Sequence, residues 1–374
     1  MNIFPDSSKS LVWSKFGRLT SLPDALAALA PFCRPVAPVL SPAEAAIGRI
    51  ASEAVYALEP SPLFPVALRD GWAVAARDTI GASSAAPCYA SVAPVRIAFG
   101  GEAPPNSDAV LPPNSVEATP SGAEIFETAA PGDGLRPPGS DFSAGELIIA
   151  EGAVVRPDRA EFLRLARIGS LNIRCPRVGI LGPAGCGSWI ASMARREGVD
   201  CVVFPSGVRQ EELSSAADLF VALGEAGRLA LERLAGPETI SSYAVALRPG
   251  QTICGFVSRG VAANAAVFIL TSERFECVFA AWLLLVRPCL RKFAGSKARD
   301  PCQSLPLTRK IASNPGWSDL VVLRRSLTEG GEAWEPLSGA EPGWSAIARA
   351  DAWLAVDPNC EGYASGQTIL AEFL

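Results

Sequence analysis

The chain contains no histidine. That absence excludes Ser-His-Asp and Cys-His nucleophile systems, imidazole acid–base chemistry and histidine-ligated zinc. Any chemistry must use carboxylates, Lys or Arg, hydroxyls, thiols, backbone N–H groups or a hard cation held by oxygen ligands. Charge is also sparse: 19% of residues are charged, 33 basic against 38 acidic, for a net −5. There is no basic stripe to displace counterions from nucleic acid and no basic amphipathic helix for a membrane surface. Long hydrophobic runs are missing as well. The most apolar, residues 278–286, lies between Glu276 and Arg287. It falls far short of the ~20 residues that cross a bilayer and reads as a buried helix. The polar residues 1–9 lack the apolar core of a signal peptide. Ten cysteines occur without a CxxC pair, most of them in apolar surroundings, as where Cys201 precedes Val202-Val203-Phe204. Such thiols behave as small buried hydrophobes in the reduced state. The expectation is a soluble, cytoplasmic protein with neither a nucleic-acid nor a membrane partner.

What is present is enough for several cores: 374 residues, 49% of them hydrophobic. Ser21-Leu22-Pro23-Asp24 reads as a helix start, with a capping serine, a proline in the first turn and an apolar stripe of Leu22, Ala25, Leu26 and Leu29. Ser41-Pro42-Ala43-Glu44 has the same signature and predicts a second helix. From about residue 58 to 151, prolines and glycines punctuate short apolar runs, which predicts an all-β module. A helix over 157–168, stopped at Gly169, returns the chain to the first two helices. A strand–loop–helix rhythm begins at Arg177, with Gly182-Pro183-Ala184-Gly185-Cys186-Gly187 between a strand over 178–181 and a helix over 188–197. Alternation of this kind implies a largely parallel sheet covered by helices. After Gly295-Ser296 come short strands expected to close a small β-barrel or sandwich.

The expected fold is therefore multi-domain α/β plus β. A helical linker domain (21–57 and 154–175) carries an inserted β module (58–153). A three-layer α/β/α domain covers 176–296, with 1–20 assigned to pack on it, and a small β-barrel covers 297–374. Backbone N–H groups at the start of the helix after Gly182, Gly185, Gly187 and Ser188 would form an anion site, or the glycines would only turn the chain. Asp70 in Asp70-Gly71, and Asp141, are either functional carboxylates or turn residues. Arg136 and Arg248 either face an anion or are ordinary charges.

Several segments in this order resemble the molybdopterin molybdenumtransferase family. Residues 48–51 (GRIA) are similar to its "GRVLAED", and 64–74 (FPVALRDGWAV) to "FDNSAMDGYAV". Residues 100–110 (GGEAPPNSDAV) are similar to "GAPLPEGADAV", and 131–145 (PGDGLRPPGSDFSAG) to "PGENVRRRGEDIRAG". The likeness continues through 173–181 (IRCPRVGIL), 247–250 (LRPG), 286–293 (VRPCLRKF) and 343–358. The resemblance implies molybdenum cofactor biosynthesis: insertion of molybdate into adenylylated molybdopterin with release of AMP, in a homodimer whose site is shared between subunits. It places Asp70 and Asp141 on the family's acidic positions, as Mg²⁺ ligands that orient water, and Arg136 on a basic one. Other cofactor-biosynthesis proteins or molybdoenzymes are implied partners.

The departures fall on the family's ligand loops. "STGDEL" is replaced by residues 182–187, "TSGGVS" by 222–227 (ALGEAG), and "LPGNP" by 271–275 (TSERF); the threonine before "GAP" becomes Phe99. Glu225 and Glu273 are the carboxylates left near those loops. The alternatives are a non-catalytic molybdopterin-binding carrier or scaffold, and an unrelated nucleotide bound through 182–187.

Overall fold

A computed structural model describes residues 19–182, 184–204, 216–235, 239–250, 253–258 and 266–374. The placement expected for residues 1–18 lies outside the described residues. The Ser21 hydroxyl caps the first helix, Leu22–Leu29, accepting the Asp24 N–H at 3.3 Å, with Pro23 in the first turn. That cap meets one of the orphan donors of the opening turn. Leu22, Ala25 and Leu29 are buried in one core with Val178, Ile180 and Val257. This helix therefore packs on the large sheet rather than on the helix that follows the β module.

The helix expected from Ser41 is not formed. Val39–Pro42 is a strand, residues 43–48 are turns, and Ile50–Ala51 and Val55–Tyr56 are short strands. Ser170–Arg174 pairs antiparallel with both Val39–Pro42 and Ile50–Ala51. The capping signature fails because Gly48 takes φ +83° only a few residues later. A run that short cannot recover the cost of helix nucleation, whereas the returning strand offers ladder hydrogen bonds at once. The helix Pro157–Leu165 ends with Arg167 in the left-handed region (φ 57°), two residues before the expected stop at Gly169. The linker is thus a small sheet with one helix around a core of Ala46, Ala51, Val155, Leu163 and Ile173, not a helical domain.

In the inserted module, Gly71–Val74 lies between Val95–Ile97 and Ala109–Leu111. A second sheet orders Cys88–Ala90, Gly122–Ile125 and Val116–Thr119. Val66–Ala67 pairs with Leu135–Arg136. Gly71 is required by packing: a Cβ there would stand 1.9 Å from the Leu111 carbonyl oxygen.

The next domain is built on six strands in the order Asp200–Phe204, Arg177–Leu181, Leu219–Leu223, Ala266–Thr271, Cys254–Ser258, Thr239–Ala244. The first four are parallel and the last two antiparallel. Strand residues alternate between two cores. Val178, Val221 and Ile269 share one with helix residues Ile190, Val278 and Leu285. Leu181, Phe220 and Phe268 share the other with Ala230 and Leu231 of the helix Gly224–Ala235. Helices thus cover both faces of the sheet. The chain leaves Arg177–Leu181 toward one edge and then crosses to Leu219–Leu223, so the switch point lies between these strands.

The apolar run forms one continuous helical rod: Phe275–Ala281, a π-helical turn at Trp282–Val286, and Arg287–Ala294. Pro288 accounts for the π turn, since it donates no hydrogen bond to the preceding turn and its ring crowds that turn's carbonyl. Gly295 ends the rod at φ 63°. No helix among the described residues is long and apolar enough to cross a membrane.

The C-terminal strands Ser318–Thr328, Gly331–Pro336, Ala352–Ala355, Thr368–Phe373 and Cys302–Pro306 form one antiparallel sheet. A bridge from Leu307 to Trp334 brings its edges together, which supports the expected barrel. The barrel joins the α/β domain through ion pairs. Arg287 and Arg291 both bind Asp300 and Glu197, with Arg287 Nε 2.6 Å from Glu197 Oε1 and Arg291 Nη2 2.6 Å from Asp300 Oδ1. Glu372, on the last strand, reaches the same cluster. Burial, and next the Asp300 carboxylate beside it, raise its pKa.

A carboxyl with a raised folded-state pKa supports the fold while protonated and loses that contribution as pH climbs through the raised value. Glu372→Gln keeps the hydrogen-bonding shape without the charge. Its stability relative to wild type should therefore rise as pH climbs from the ordinary glutamate range to the raised value, and level off above it. Denaturation midpoints measured across that range test this; a parallel pair of curves contradicts it.

Candidate functional site

The motifs around Asp70 and Arg136 meet in space. The register Ala67 to Leu135 and Val66 to Arg136 places them on one ladder, and the Leu68 N–H donates to the Gly134 carbonyl at 2.8 Å. Arg69, which sequence reasoning passed over, lies against Gly134, where an added Cβ would stand 2.6 Å from its Nε. Gly134 therefore makes room for a neighbouring guanidinium, a constraint no pattern in the sequence discloses. Asp70 Oδ1 accepts the Phe99 N–H at 2.7 Å, tying its turn to the loop before Gly100. Asp141 Oδ1 lies 2.6 Å from Arg136 Nη1, and its other oxygen accepts from Ser61 Oγ at 3.4 Å.

Arg136 and Asp141 are thus partners, both partly exposed. An exposed pair of this kind contributes only about 0–1 kcal/mol and is screened by salt. Arg136→Ala should accordingly shift stability by under ~1 kcal/mol. Urea titrations at low and high salt should show the difference shrinking as salt rises.

The glycine loop lies at the switch point, where open α/β sheets bind ligands. The helix after it spans Ala184–Arg196, so it begins four residues before the expected start at Ser188, and Gly185 and Gly187 belong to its first turn. Ser188 Oγ donates to the Gly185 carbonyl at 3.0 Å, a bond back onto its own helix. Gly182 has φ +125°, and a Cβ on it would stand 2.7 Å from the Leu223 carbonyl oxygen. A Cβ on Gly227 would stand 2.7 Å from the Leu181 carbonyl oxygen. The turns leaving the two strands therefore touch across the crevice.

Glu273 adds to this closure. Its side chain lies over Gly224, where a Cβ would meet its Oε1 at 2.1 Å, and its carbonyl accepts the Cys186 thiol at 3.3 Å. Glu225 pairs with Arg228 one helical turn away (Nε to Oε2, 2.8 Å). The Thr271 hydroxyl, at the end of its strand, is buried without a hydrogen-bond partner among the described residues.

Arg248 lies elsewhere. Its guanidinium grips Asp319 through two bonds of 2.6 Å, Nε to Oδ1 and Nη2 to Oδ2, and lies over the Trp317 ring at 5.4 Å. The Asp319 side chain is fully buried and also accepts from Ser313 Oγ at 2.6 Å. Leu247–Arg248 runs parallel to Ser318–Asp319, so the pair sits on the seam between the α/β domain and the barrel. Asp319 carried no signal in the sequence, because a single carboxylate beside a strand of leucine and valine reads as a strand end.

The candidate residues thus fall in three places: Asp70, Arg136 and Asp141 in the inserted module, 182–188 at the sheet end, and Arg248 at the barrel seam. Among the described residues, no group of three or more Asp, Glu or Cys side chains is arranged to hold a metal ion. Mg²⁺ favours oxygen ligands in near-octahedral geometry. Asp70 accepts a backbone N–H and Asp141 binds a guanidinium, and neither stands in a cluster of oxygen ligands among the described residues.

Comparison with known proteins matches residues 20–169 to the family model of the MoeA N-terminal region (domain I and II). Over that stretch the chain is similar to the first two domains of the MoeA proteins. Molybdopterin molybdenumtransferase 2 of Mycobacterium tuberculosis is 32% identical over 145 residues, covering 33% of this chain and 34% of that protein. A Methanocaldococcus jannaschii protein named for molybdopterin biosynthesis is 26% identical over 145 residues, 36% of each chain. The match thus spans about a third of the length of these sequence relatives. Two Pyrococcus horikoshii structures of molybdopterin biosynthesis MoeA protein cover far more. One has a TM-score of 0.71 at 21% identity over 95% of this chain and 99% of that one; the other has 0.70 at 17% over 96% and 100%. The MoeA fold therefore extends through the α/β domain and the barrel, beyond the segment that sequence comparison aligns.

Proposed function

We propose that this chain serves molybdenum cofactor biosynthesis as a non-catalytic member of its family, binding a molybdopterin-type ligand or a protein that carries one. The observation that carries this reading is that the two arginines suited to anion chemistry are already paired with carboxylates within the chain. Arg136 is neutralised by Asp141 and Arg248 by Asp319. At the switch point, the turns touch and Glu273 lies over Gly224. At Arg248 a bound oxyanion would have to displace a buried carboxylate, losing a charge-assisted bond for each one gained.

A second reading, molybdate insertion with AMP release, is favoured by one observation: the Asp70, Arg136 and Asp141 motifs share one ladder. In that reading a homodimer brings this face to a partner's sheet end. Asp70 and Asp141 then orient water, while Arg136 and the Gly182–Ser188 turn hold anionic groups.

AMP release from adenylylated molybdopterin in the presence of Mg²⁺ and molybdate separates the two. The expected result is no molybdate-dependent release, with molybdopterin still bound and binding unaltered in Asp70→Ala. Molybdate-dependent release that disappears in Asp70→Ala would replace the proposal with the second reading.

A further inference from the structure

A cavity of about 60 Å³ lies where the linker, the α/β domain and the end of the long rod meet. Its lining includes Ile50 of the linker and Arg196 and Glu197 at the end of the helix Ala184–Arg196. Arg287 and Arg291 of the rod and Ser296 just beyond it complete the polar part. Three guanidiniums and one carboxylate therefore line it, in a chain whose net charge is −5.

Two of those guanidiniums are matched. Arg287 and Arg291 pair with Glu197 and with Asp300, which stands outside the lining. Glu372, beside Asp300, is pushed toward its neutral form by burial and then by that carboxylate. Arg196 is the surplus charge. It makes no ion pair among the described residues, and its one hydrogen-bond contact there is the Met193 sulfur, 3.9 Å from Nη1. Arg196 is also exposed, which gives an anion a path from solvent. Donors are left over as well. A guanidinium has five N–H groups, and Arg287 Nη1 and Arg291 Nε donate to no acceptor among the described residues. The Ser296 hydroxyl accepts the Ala298 N–H at 3.3 Å, which leaves its own hydrogen to donate.

We propose that this cavity is a binding site for one small tetrahedral oxyanion of the phosphate or sulfate class, held by Arg196, Arg291 and Ser296.

The space matches that class. One water occupies about 10–15 Å³ measured this way, so the cavity holds roughly four or five groups of water size. A tetrahedral oxyanion is four oxygens around one central atom. The planar guanidinium fork fits two of those oxygens at once, and Ile50 on the wall keeps the local dielectric below that of water. Unlike Arg248, Arg196 gives up no carboxylate when it binds. The site is also remote from the glycine loop. Arg196 closes a 13-residue helix whose other end is that loop, about 18 Å away by helical rise. An anion bound to the folded chain alone raises its stability by mass action.

The test is calorimetric titration of the whole chain with inorganic phosphate at constant ionic strength, with chloride as the reference. One phosphate should bind per chain, and the denaturation midpoint should rise with phosphate. Sulfate should displace it. AMP, whose phosphate carries a nucleoside too large for the cavity, should not, which separates a free oxyanion from a phosphate ester. Arg196→Gln should weaken phosphate binding roughly tenfold or more, the cost of a charge-assisted hydrogen bond. Its midpoint in chloride should stay near wild type, since no ion pair is lost. Ser296→Ala should weaken binding about threefold, and decides the matter if the first variant fails to fold. Arg77→Gln, the same charge change on an exposed side chain of the inserted module, should bind as wild type. The proposal is overturned by no binding beyond chloride, by displacement with AMP, by unchanged binding in Arg196→Gln, or by equal weakening in Arg77→Gln. Molybdopterin binding should persist in Arg196→Gln, so failure here leaves the functional reading intact.

Discussion

Replacing Arg248 with leucine should lower stability by about 3–5 kcal/mol, the cost of stranding one member of a buried ion pair. Asp319 would be left with no exposure and only Ser313 as a side-chain donor, in a seam too dry to solvate it. Since the pair fastens strand Leu247–Arg248 to the start of the barrel strand Ser318–Thr328, the loss should be largest in probes of the barrel. Trp334 is one such probe, lying fully buried within it. Equilibrium unfolding followed by tryptophan fluorescence measures the effect. The double variant Arg248→Leu with Asp319→Leu should recover much of the loss, because no unpaired charge remains. If Arg248 were instead an anion ligand, the single substitution would weaken ligand binding and leave the unfolding midpoint near wild type.

Gly71→Ala should be comparably severe, at about 3 kcal/mol or more, the upper range for forcing atoms into a packed site. The added methyl would overlap a carbonyl of the neighbouring strand rather than a movable side chain. The central strand Gly71–Val74 must then separate from Ala109–Leu111 or tilt, and both responses break ladder hydrogen bonds. Asp70 immediately precedes it, so its bond to the Phe99 N–H should be lost as well. Amide exchange over 71–74 and 109–111 should accelerate while the α/β sheet keeps its protection. By contrast Gly132→Ala, in the same module, has open space around its Cβ but a φ of +90°, and should cost only the roughly 1 kcal/mol of a strained turn. Equal losses at the two positions would contradict the steric argument for Gly71.

Much of the architecture was legible because it rests on local rules. Ser21 with Pro23 announced a helix that formed where expected, and the run 278–286 formed a buried helix of the expected kind. The strands from Arg177 onward, continuous in apolar residues, formed a largely parallel sheet. Local rules failed where a distant segment competed. Ser41-Pro42-Ala43-Glu44 carries the same start signal as Ser21, but Ser170–Arg174 returns alongside and captures Val39–Pro42 as a strand. The linker's helical character was misread for that reason alone. The helix start at Ala184 rather than Ser188 was missed because two glycines suggested a loop, yet both lie within the helix, with Gly187 in ordinary contact with Ile180.

The candidate site divides along the same line. Residue type and local pattern singled out Asp70, Asp141, Arg136 and Arg248 as groups able to handle charge, and the lack of histidine restricted what any of them could do. Which charges remain free was decided by tertiary structure. Arg136 met Asp141 through a short turn, while Arg248 met Asp319 across 71 positions of sequence. An ion pair depends on separation in space and on the water excluded around it, and neither is encoded within a few residues of the chain. By itself, the sequence determined most of the element types, their order and the exclusion of imidazole chemistry. The fold alone decided that two of its arginines serve as internal fastenings, because only the folded chain brings their carboxylates within reach.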